Sequence, residues 1–277
     1  MNSKEREIRL ECLRPGQLNQ ERERCPLVFV PIGPLEYHGP HLPVGMDAIS
    51  ATQCGLEACR QLGKGVVHPT LYWGTERERP DWMLESLGFE RSDWIIGMDF
   101  PKAIWKSHYY QEQMFAQVVA STVEMLIEGG YKVIVLVNGH GAWNQLQTLD
   151  RLAKHYSNTT DASVVWRLAT NIEISEKNLA GHADSFETSM MLYYQNVAYG
   201  SDFMVDLSQL PERGVPIRYP DFSVVDGPGF SENPSPGRVV QTDPREANAD
   251  RGKQLFEDTV KRYVQLAEEA LKHKGFV

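Results

Sequence analysis

The sequence has little positive charge, few cysteines and no long apolar run, and each shortage excludes a class of protein. Its 28 basic residues are outnumbered by 37 acidic ones, which gives a formal net charge of −9. A basic face that neutralises nucleic-acid phosphates is therefore not expected. The longest aliphatic run, residues 133–137, is far too short to span a bilayer. We expect neither a nucleic acid nor a membrane as partner.

The cysteine content and the N-terminal segment bear on the cellular compartment. The four cysteines form no CxxC pair and are too sparse for a disulfide framework: Cys12, Cys25, Cys54 and Cys59. They are interpreted as reduced thiols. The first residues, MNSKEREIRLECLRPGQ, lack the apolar stretch of a signal peptide. Both observations predict a cytoplasmic protein.

The composition is that of an ordinary globular chain, with 42% hydrophobic and 23% charged residues among 277. No internal repeat, low-complexity tract or linker divides it, so we predict a single domain over residues 1–277. No serine lies in a nucleophile elbow, and no glycine-rich phosphate loop is present. A serine or cysteine nucleophile therefore has no support.

Apolar periodicity predicts strands that alternate with helices. The predicted strands cover residues 27–32, 66–67, 132–137 and 163–168. The predicted helices cover residues 47–62, 109–128, 142–156, 185–194 and 246–273, and the segment 201–243, rich in proline and glycine, is expected on the surface, where it could line a site. This alternation predicts an α/β fold of three layers, α/β/α, with a mostly parallel central sheet. Ligands of such sheets bind at the carboxyl ends of the strands.

The first motif follows the first predicted strand and contains Glu36, His38 and Asp47. Side chains two apart in an extended segment point to the same side, so Glu36 and His38 could converge on one ion. Carboxylate and imidazole groups are ligands of zinc, manganese or iron. The alternative is a turn with a solvated glutamate and with Asp47 as the N-cap of the helix that follows.

The second motif places His140 between two glycines directly after the clearest buried strand. Glycines allow close backbone approaches that other residues forbid, so this histidine is expected to project into the crevice at the strand ends. A neutral loop histidine satisfied by backbone groups is the alternative. The position and the flanking residues favour a metal ligand.

The third motif places His182 just before a predicted helix and Glu187 in its first turn, with Ser185 as a possible cap. A histidine and a carboxylate at such a position can serve as proton donor and ligand. Alternatively, Glu187 or Asp184 simply complements the helix dipole. The segment alone does not decide between them.

Several other residues carry weaker signals. His41 is either a partner that orients a ligand or a packed turn histidine. Arg77 and Arg79 are expected on a solvated loop, with a smaller chance of meeting an anionic or polyhydroxylated substrate. Aromatic residues that could wall a pocket, but are more often core, are Trp73, Trp82, Trp94, Trp105 and Tyr109.

At the three motifs the sequence resembles the creatininase (creatinine amidohydrolase) family. The resemblance implies an α/β/α fold, a divalent metal centre that is often dinuclear, hexameric assembly, and hydrolysis of cyclic amides and related C–N bonds. It makes Glu36, His38, Asp47 and His140 metal ligands, with Asp47 bridging two ions. It makes His182 the residue that handles a proton.

One position departs from the family pattern. Creatininase proper has a glutamate two residues after the equivalent of His140, where this chain has Ala142. In family members without that glutamate, the carboxylate of the Glu-Thr-Ser motif resembles the replacement, which is Glu187 here. The departure puts creatinine itself in doubt as the substrate.

The sequence therefore predicts a metal-dependent hydrolase, in which one or two divalent ions (Zn, Mn or Fe) activate a water molecule. The predicted partners are a small-molecule substrate and further copies of the chain in a homo-oligomer. A cyclic amide is the favoured substrate, and the alternative is C–C bond hydrolysis in an oxidised inositol. A non-catalytic metal-binding or sugar-binding protein is the alternative from another class.

Overall fold

The computed structural model describes residues 6–86, 89–100, 103–170, 181–215 and 243–276. Its helices are α1 (Pro15–Arg24), α2 (Met46–Leu62), α3 (Asp81–Ser86), α4 (Glu112–Glu128), α5 (Trp143–Thr159), α6 (Ser185–Val197) and α7 (Ala249–His273). Its strands are β1 (Leu27–Ile32), β2 (Val66–Val67), β3 (Val133–Asn138) and β4 (Ser163–Leu168). Short 3₁₀ helices cover Leu10–Cys12, Leu207–Gln209 and Pro244–Glu246.

The four strands form one parallel sheet in the order β2-β1-β3-β4. Strands β1 and β3 lie in the middle, in a register that pairs Val28 with Ile134 and Ile32 with Asn138. Every residue of both strands is buried. Strands covered on two faces need apolar side chains on both, which explains their unbroken aliphatic sequence. The carboxyl ends of these two strands therefore lie side by side.

Side chains that alternate along the central strands enter two separate cores. Phe29 and Val135 belong to the core shared with α2, α6 and α7. Val30 and Leu136 belong to the core shared with α4 and α5. Burying each such side chain contributes about 1.5–3 kcal/mol. The sheet thus lies between two helical layers, and the prediction of a three-layer α/β/α fold is confirmed.

Neither of the two helix caps that the sequence offered as possibilities is used. Helix α2 begins at Met46 with Gly45 at its cap position. Asp47 therefore lies in the first turn, and its carboxylate does not cap the helix. Helix α6 is capped by Asp184, whose carboxylate accepts bonds from the amides of Phe186 and Glu187, rather than by Ser185. An aspartate one residue ahead of the helix reaches both free amides at once.

Two helices begin later than their apolar pattern predicts. Helix α4 starts at Glu112, which leaves Tyr109 in the preceding loop. Helix α7 starts at Ala249 because the Asn248 side chain accepts a bond from the Arg251 amide and caps it there. The short helix α3 lies in a stretch for which the apolar pattern predicts neither a strand nor a helix.

The proline- and glycine-rich segment is described only in part. Residues 216–242 lie outside the described residues, whereas residues 201–215 pack against the loop that carries His41. The amide of Asp206 donates to the His41 carbonyl at 3.0 Å. Among the described helices, none has the length and apolarity needed to cross a membrane.

Candidate metal centre

The three sequence motifs meet at the carboxyl end of the sheet. The loop after β1 carries Glu36 and His38, the loop after β3 carries His140, and the first turn of α2 brings Asp47 between them. Gly139 makes this approach possible, since a Cβ at that position would lie 2.1 Å from the Asp47 carbonyl oxygen. Any other residue there would push α2 away from the strand end.

A buried amide network fixes the loop that carries His140. The Asn138 side chain donates to the His140 carbonyl at 2.7 Å and accepts from the His140 amide at 3.2 Å. Gln145 in turn donates to the Asn138 side-chain oxygen at 2.7 Å. These groups are buried and paired, so the imidazole is held in one orientation.

The first group of candidate ligands is named here the Glu36 cluster and consists of Glu36, Asp47 and His140. The Nδ1 atom of His140 lies 3.0 Å from Glu36 Oε2 and 3.1 Å from Asp47 Oδ2. All three side chains are buried. Ligand atoms around a zinc ion at about 2.1 Å are separated by roughly 3–3.5 Å, so the spacing fits one cation.

The second group is named here the Glu187 cluster and consists of His38, Asp47 and Glu187. The Nε2 atom of His38 lies 3.2 Å from Asp47 Oδ1 and 3.9 Å from Glu187 Oε2. Asp47 therefore turns one carboxylate oxygen to each cluster, which is the arrangement of a bridging ligand.

Orphaned nitrogen atoms support a cation at this place. His38 Nε2 is buried without a hydrogen-bond partner, while its Nδ1 faces the Glu36 carbonyl at 3.1 Å. A carbonyl only accepts, so Nδ1 carries a proton, and Nε2 is the atom that can bind a metal ion or a second proton. A lone pair aimed at carboxylates is favourable only when a proton or a metal ion lies between them. Imidazole and carboxylate donors suit zinc, manganese or iron.

The electrostatics of the site follow from burial and from the crowding of charges. Burial opposes the charge on His38, but Asp47 and the other carboxylates outweigh it and raise its pKa to about 10. Burial raises the pKa of Glu187 to about 8. For Asp47 and Glu36, burial is outweighed by the nearby imidazoles, which lower the pKa of both carboxyl groups. A site without metal is therefore partly protonated at neutral pH.

His182 lies beside these clusters and differs from them in its protonation. Its Nε2 atom lies 2.7 Å from the Tyr37 carbonyl oxygen, so it donates there and leaves a lone pair on Nδ1. The ring lies 4.3 Å from that of His38. Burial, together with the charge of His38, lowers the pKa of His182 to about 3. The imidazole is therefore neutral and presents a lone pair at Nδ1.

Two residues lie at the site although their signals in the sequence are weaker, Tyr109 as a possible pocket wall and Arg79 with a smaller chance of meeting a substrate. The hydroxyl of Tyr109 donates to Glu36 Oε1, across 73 positions of the chain. Arg79 is largely buried, donates to the Gly97 carbonyl at 2.9 Å and lines the cavity, so its prediction as a solvated residue is wrong. Neither belongs to a motif, and no local pattern marks them. Arg77 is exposed and pairs with Glu112, as a solvated residue would.

His41 is buried, and its Nε2 atom lies 3.1 Å from the Thr188 hydroxyl, next to Glu187 in the chain. Burial lowers the pKa of His41 to about 3, so it stays neutral. Its hydrogen bond is therefore made to a residue near the start of α6 and not to a candidate ligand.

A cavity of about 290 Å³ opens onto both clusters. Beyond the candidate ligands, its wall combines apolar and charged side chains: Met46, Glu76, Arg79, Met98, Ala142, Trp143, Leu168, Phe186 and Met190. Its volume suits a small molecule with both apolar and polar groups.

Comparison with known proteins places this architecture in a family. A sequence model described as creatininase, creatinine amidohydrolase, matches residues 13–267. The chain belongs to the creatininase family. Its relation to a crystal structure of creatinine amidohydrolase (creatininase) is distant in sequence, at 19% identity, but covers 96% of this chain and 98% of the other with a TM-score of 0.64. At such identity the likeness concerns the fold.

Two further creatininase structures, one with Mn and one a mutant of the Zn–Zn type, match this creatininase-family chain equally well. Each has a TM-score of 0.63 at 19% identity, with 95% of this chain and 98% of the other covered. A 3-dehydro-scyllo-inosose hydrolase of Thermotoga maritima is 23% identical over 187 residues, which is 64% of this chain. The match spans about half, 52%, of that relative's length.

Proposed function

We propose that this chain is a metal-dependent hydrolase that adds water across a bond next to a carbonyl group in a small cyclic substrate. The observation that carries the proposal is the position of Asp47, whose two oxygens face two separate sets of ligands at the wall of one cavity. Membership of the creatininase family supports it.

In this proposal Glu36, Asp47 and His140 hold one divalent ion, and His38, Asp47 and Glu187 hold a second. Mn and Zn are the metals of the related creatininase structures. A divalent ion in such a site polarises a carbonyl group and lowers the pKa of a bound water from about 16 to about 7.

Glu187 supplies the carboxylate that Ala142 lacks. Ala142 lines the cavity but has no ligand atom, whereas Glu187 reaches within 3.9 Å of His38 Nε2 from the opposite wall. Ala142 also leaves more room beside His140 than a glutamate would. The cavity that receives the substrate is therefore wider at this position than it would be with a glutamate.

His182 is proposed to move the proton. Its neutral ring is anchored through Nε2, so Nδ1 takes a proton from the attacking water. The same atom then delivers this proton to the group that leaves the carbonyl carbon. Water thus contributes its hydroxyl to the carbon and its proton to the leaving atom, and the imidazole returns to its neutral form.

Two substrate classes are consistent with this chemistry. The first is a cyclic amide, in which the C–N bond breaks and nitrogen takes the proton, in keeping with the family name. The second is a cyclic polyhydroxy diketone, in which a C–C bond breaks and carbon takes the proton. Similarity to the 3-dehydro-scyllo-inosose hydrolase favours this second candidate, as does the Glu76–Arg79 ion pair in the cavity wall, which could bind hydroxyl groups.

The test combines metal analysis with a hydrolysis screen. The wild-type chain is demetallated with a chelator, reconstituted with Mn²⁺ or Zn²⁺, and assayed against cyclic amides and inososes. We expect the chain to hydrolyse one of the two substrate classes, and only when metal is bound. Activity should return on reconstitution. Full activity without metal would refute the proposal, and metal uptake without any hydrolysis would favour a non-catalytic binding protein.

A further inference from the structure

Resting on the proposed metal centre, we infer that Tyr109 is a positioning residue that serves the Glu36 cluster and not the Glu187 cluster. Its hydroxyl donates a hydrogen bond to one carboxylate oxygen of Glu36 and leaves the other oxygen to bind the ion. One of the two metal positions then has a ligand that is oriented by a tyrosine side chain, and the other does not.

The hydroxyl of Tyr109 is fixed from both sides. It accepts a hydrogen bond from the Met98 amide at 3.2 Å and donates a hydrogen bond to Glu36 Oε1. Glu36 Oε2, the other oxygen, lies 3.0 Å from His140 Nδ1. The carboxylate thus has one oxygen for the tyrosine and one for the centre. A carboxylate oxygen only accepts, so the phenol hydroxyl is the donor of this bond.

A glycine allows the ring of Tyr109 to reach this position. Gly97 has a φ of +56°, and a Cβ there would lie 2.6 Å from the tyrosine ring. The same ring lies 6.0 Å from that of His140, nearly parallel to it. Tyr109 therefore contacts Glu36 and packs near His140, the two members of the Glu36 cluster that are not part of the Glu187 cluster. Glu36 Oε2 also lies 3.7 Å from His38 Nε2, but the tyrosine bonds the other oxygen, Oε1.

The Glu187 cluster is supported by the backbone instead. The Nδ1 atom of His38 is held by the Glu36 carbonyl at 3.1 Å, and Glu187 Oε2 accepts the Ala183 amide at 2.5 Å. Neither bond involves the hydroxyl of Tyr109. Removing that hydroxyl should therefore free the Glu36 carboxylate to rotate while leaving His38 and Glu187 in place.

The test is a metal titration of Tyr109→Phe that resolves two binding steps. The demetallated wild-type chain and its variants are titrated with Co²⁺, followed by calorimetry and by the visible absorption of the bound ion. His140→Ala identifies the step that belongs to the Glu36 cluster, and Glu187→Gln identifies the other. Loss of a partner that orients a ligand typically costs 10–100-fold in metal affinity.

We expect Tyr109→Phe to weaken metal binding at the Glu36 cluster by about 10–100-fold and to change binding at the Glu187 cluster by less than about threefold. Tyr110→Phe is the matched control, since Tyr110 is the neighbouring tyrosine and its ring stacks on Trp73 at 3.9 Å. Its titration should match that of the wild type. The absorption bands of the first ion should also shift in Tyr109→Phe alone, which a general loss of stability would not produce.

Equal weakening of both steps, or no change in either, would overturn the inference, as would a single binding step in the wild type. Failure of the wild type to bind any metal would instead refute the proposed function. Thermal unfolding of the metal-free variants shows whether Tyr109→Phe keeps its fold. Because this substitution removes one oxygen and retains the ring, the contacts with Gly97 and His140 persist.

Discussion

The two ligand clusters share Asp47 but are built in different ways. The Glu36 cluster lies between the ends of two central strands, and Glu36 is 3% exposed. The Glu187 cluster reaches across to the start of α6, its longest contact is 3.9 Å, and Glu187 is 19% exposed. One cluster is therefore part of the sheet edge, and the other joins the edge to a helix that packs over it. A shared ligand does not make two sites equivalent.

Substitution of the shared ligand is the largest perturbation. Asp47→Asn keeps the shape of the side chain but removes the charge that both clusters use. We expect a loss of affinity at both positions greater than the 10–100-fold caused by losing an orienting partner. Metal per chain after dialysis, measured by atomic emission, checks this.

The control for that substitution is Asp150→Asn, in an exposed pair with Lys154 on α5. It should retain the metal content of the wild type. If Asp47→Asn kept either ion at wild-type affinity, the cluster concerned would not depend on Asp47 and the comparison would fail.

The next largest effect is expected at His182, which separates proton transfer from metal binding. His182→Gln should lower kcat by about 10²–10⁴-fold, the usual contribution of a general acid–base group, and leave both ions bound. His155→Gln, an exposed position on α5, is the control. Loss of an ion in His182→Gln would instead make His182 a ligand, since Glu36, His38 and His182 form a third group whose candidate ligand atoms lie within 4.8 Å of one another.

A smaller effect concerns pH and involves both clusters, since burial of His140 is outweighed by Glu36 and Asp47, which raise the pKa of His140 well above its usual value. The pKa values of His38 and Glu187 are raised to about 10 and about 8, so both hold protons at pH 7. Because a ligand must give up its proton to bind metal, uptake at pH 7 should release protons. Since both pKa values lie above 7, affinity should rise between pH 6 and 8, about tenfold per unit for each proton displaced.

Calorimetric titration in two buffers of different ionisation enthalpy measures this proton release. In Glu187→Gln the release should fall, because the glutamine holds no acidic proton. Metal binding without proton release at pH 7 would contradict the assigned protonation of His38 and Glu187.

What the sequence predicts well is the part of the site carried by the strands. The strand bounds 27–32 and 163–168 agree with the structure, since both are short segments rich in apolar and β-branched residues between turns. Parallel strands bring their carboxyl ends to one edge, so Glu36, His38 and His140 could be expected to meet. Asp47 lies beside them, and the alternative in which it caps α2 is wrong. The sequence left both open because an aspartate near a helix start fits a cap and a ligand equally.

The rest depends on irregular segments. Tyr109 precedes α4, where the apolar pattern of the helix appeared to include it, and its partner Glu36 is 73 positions away. Arg79 lies in a charged stretch typical of a solvated loop, yet it packs against the backbone of Gly97. Loops have no periodicity from which a facing side chain can be inferred. Such contacts become visible only in three dimensions.

The smallest effect tests whether strained backbone sets the Glu187 cluster. Ala183 has a φ of +53°, in the left-handed region, and its amide donates to Glu187 Oε2. Ala183→Gly relieves about 1–2 kcal/mol of strain and adds about 0.5–1 kcal/mol of chain entropy to the unfolded state. The Ala183 methyl group is buried in the core, and its loss costs about 0.8 kcal/mol. We therefore expect the free energy of unfolding to change by less than about 1 kcal/mol, measured by urea denaturation. The amide remains, so metal affinity should be unchanged, whereas weaker binding at the Glu187 cluster would show that the side chain of Ala183 is needed to aim it.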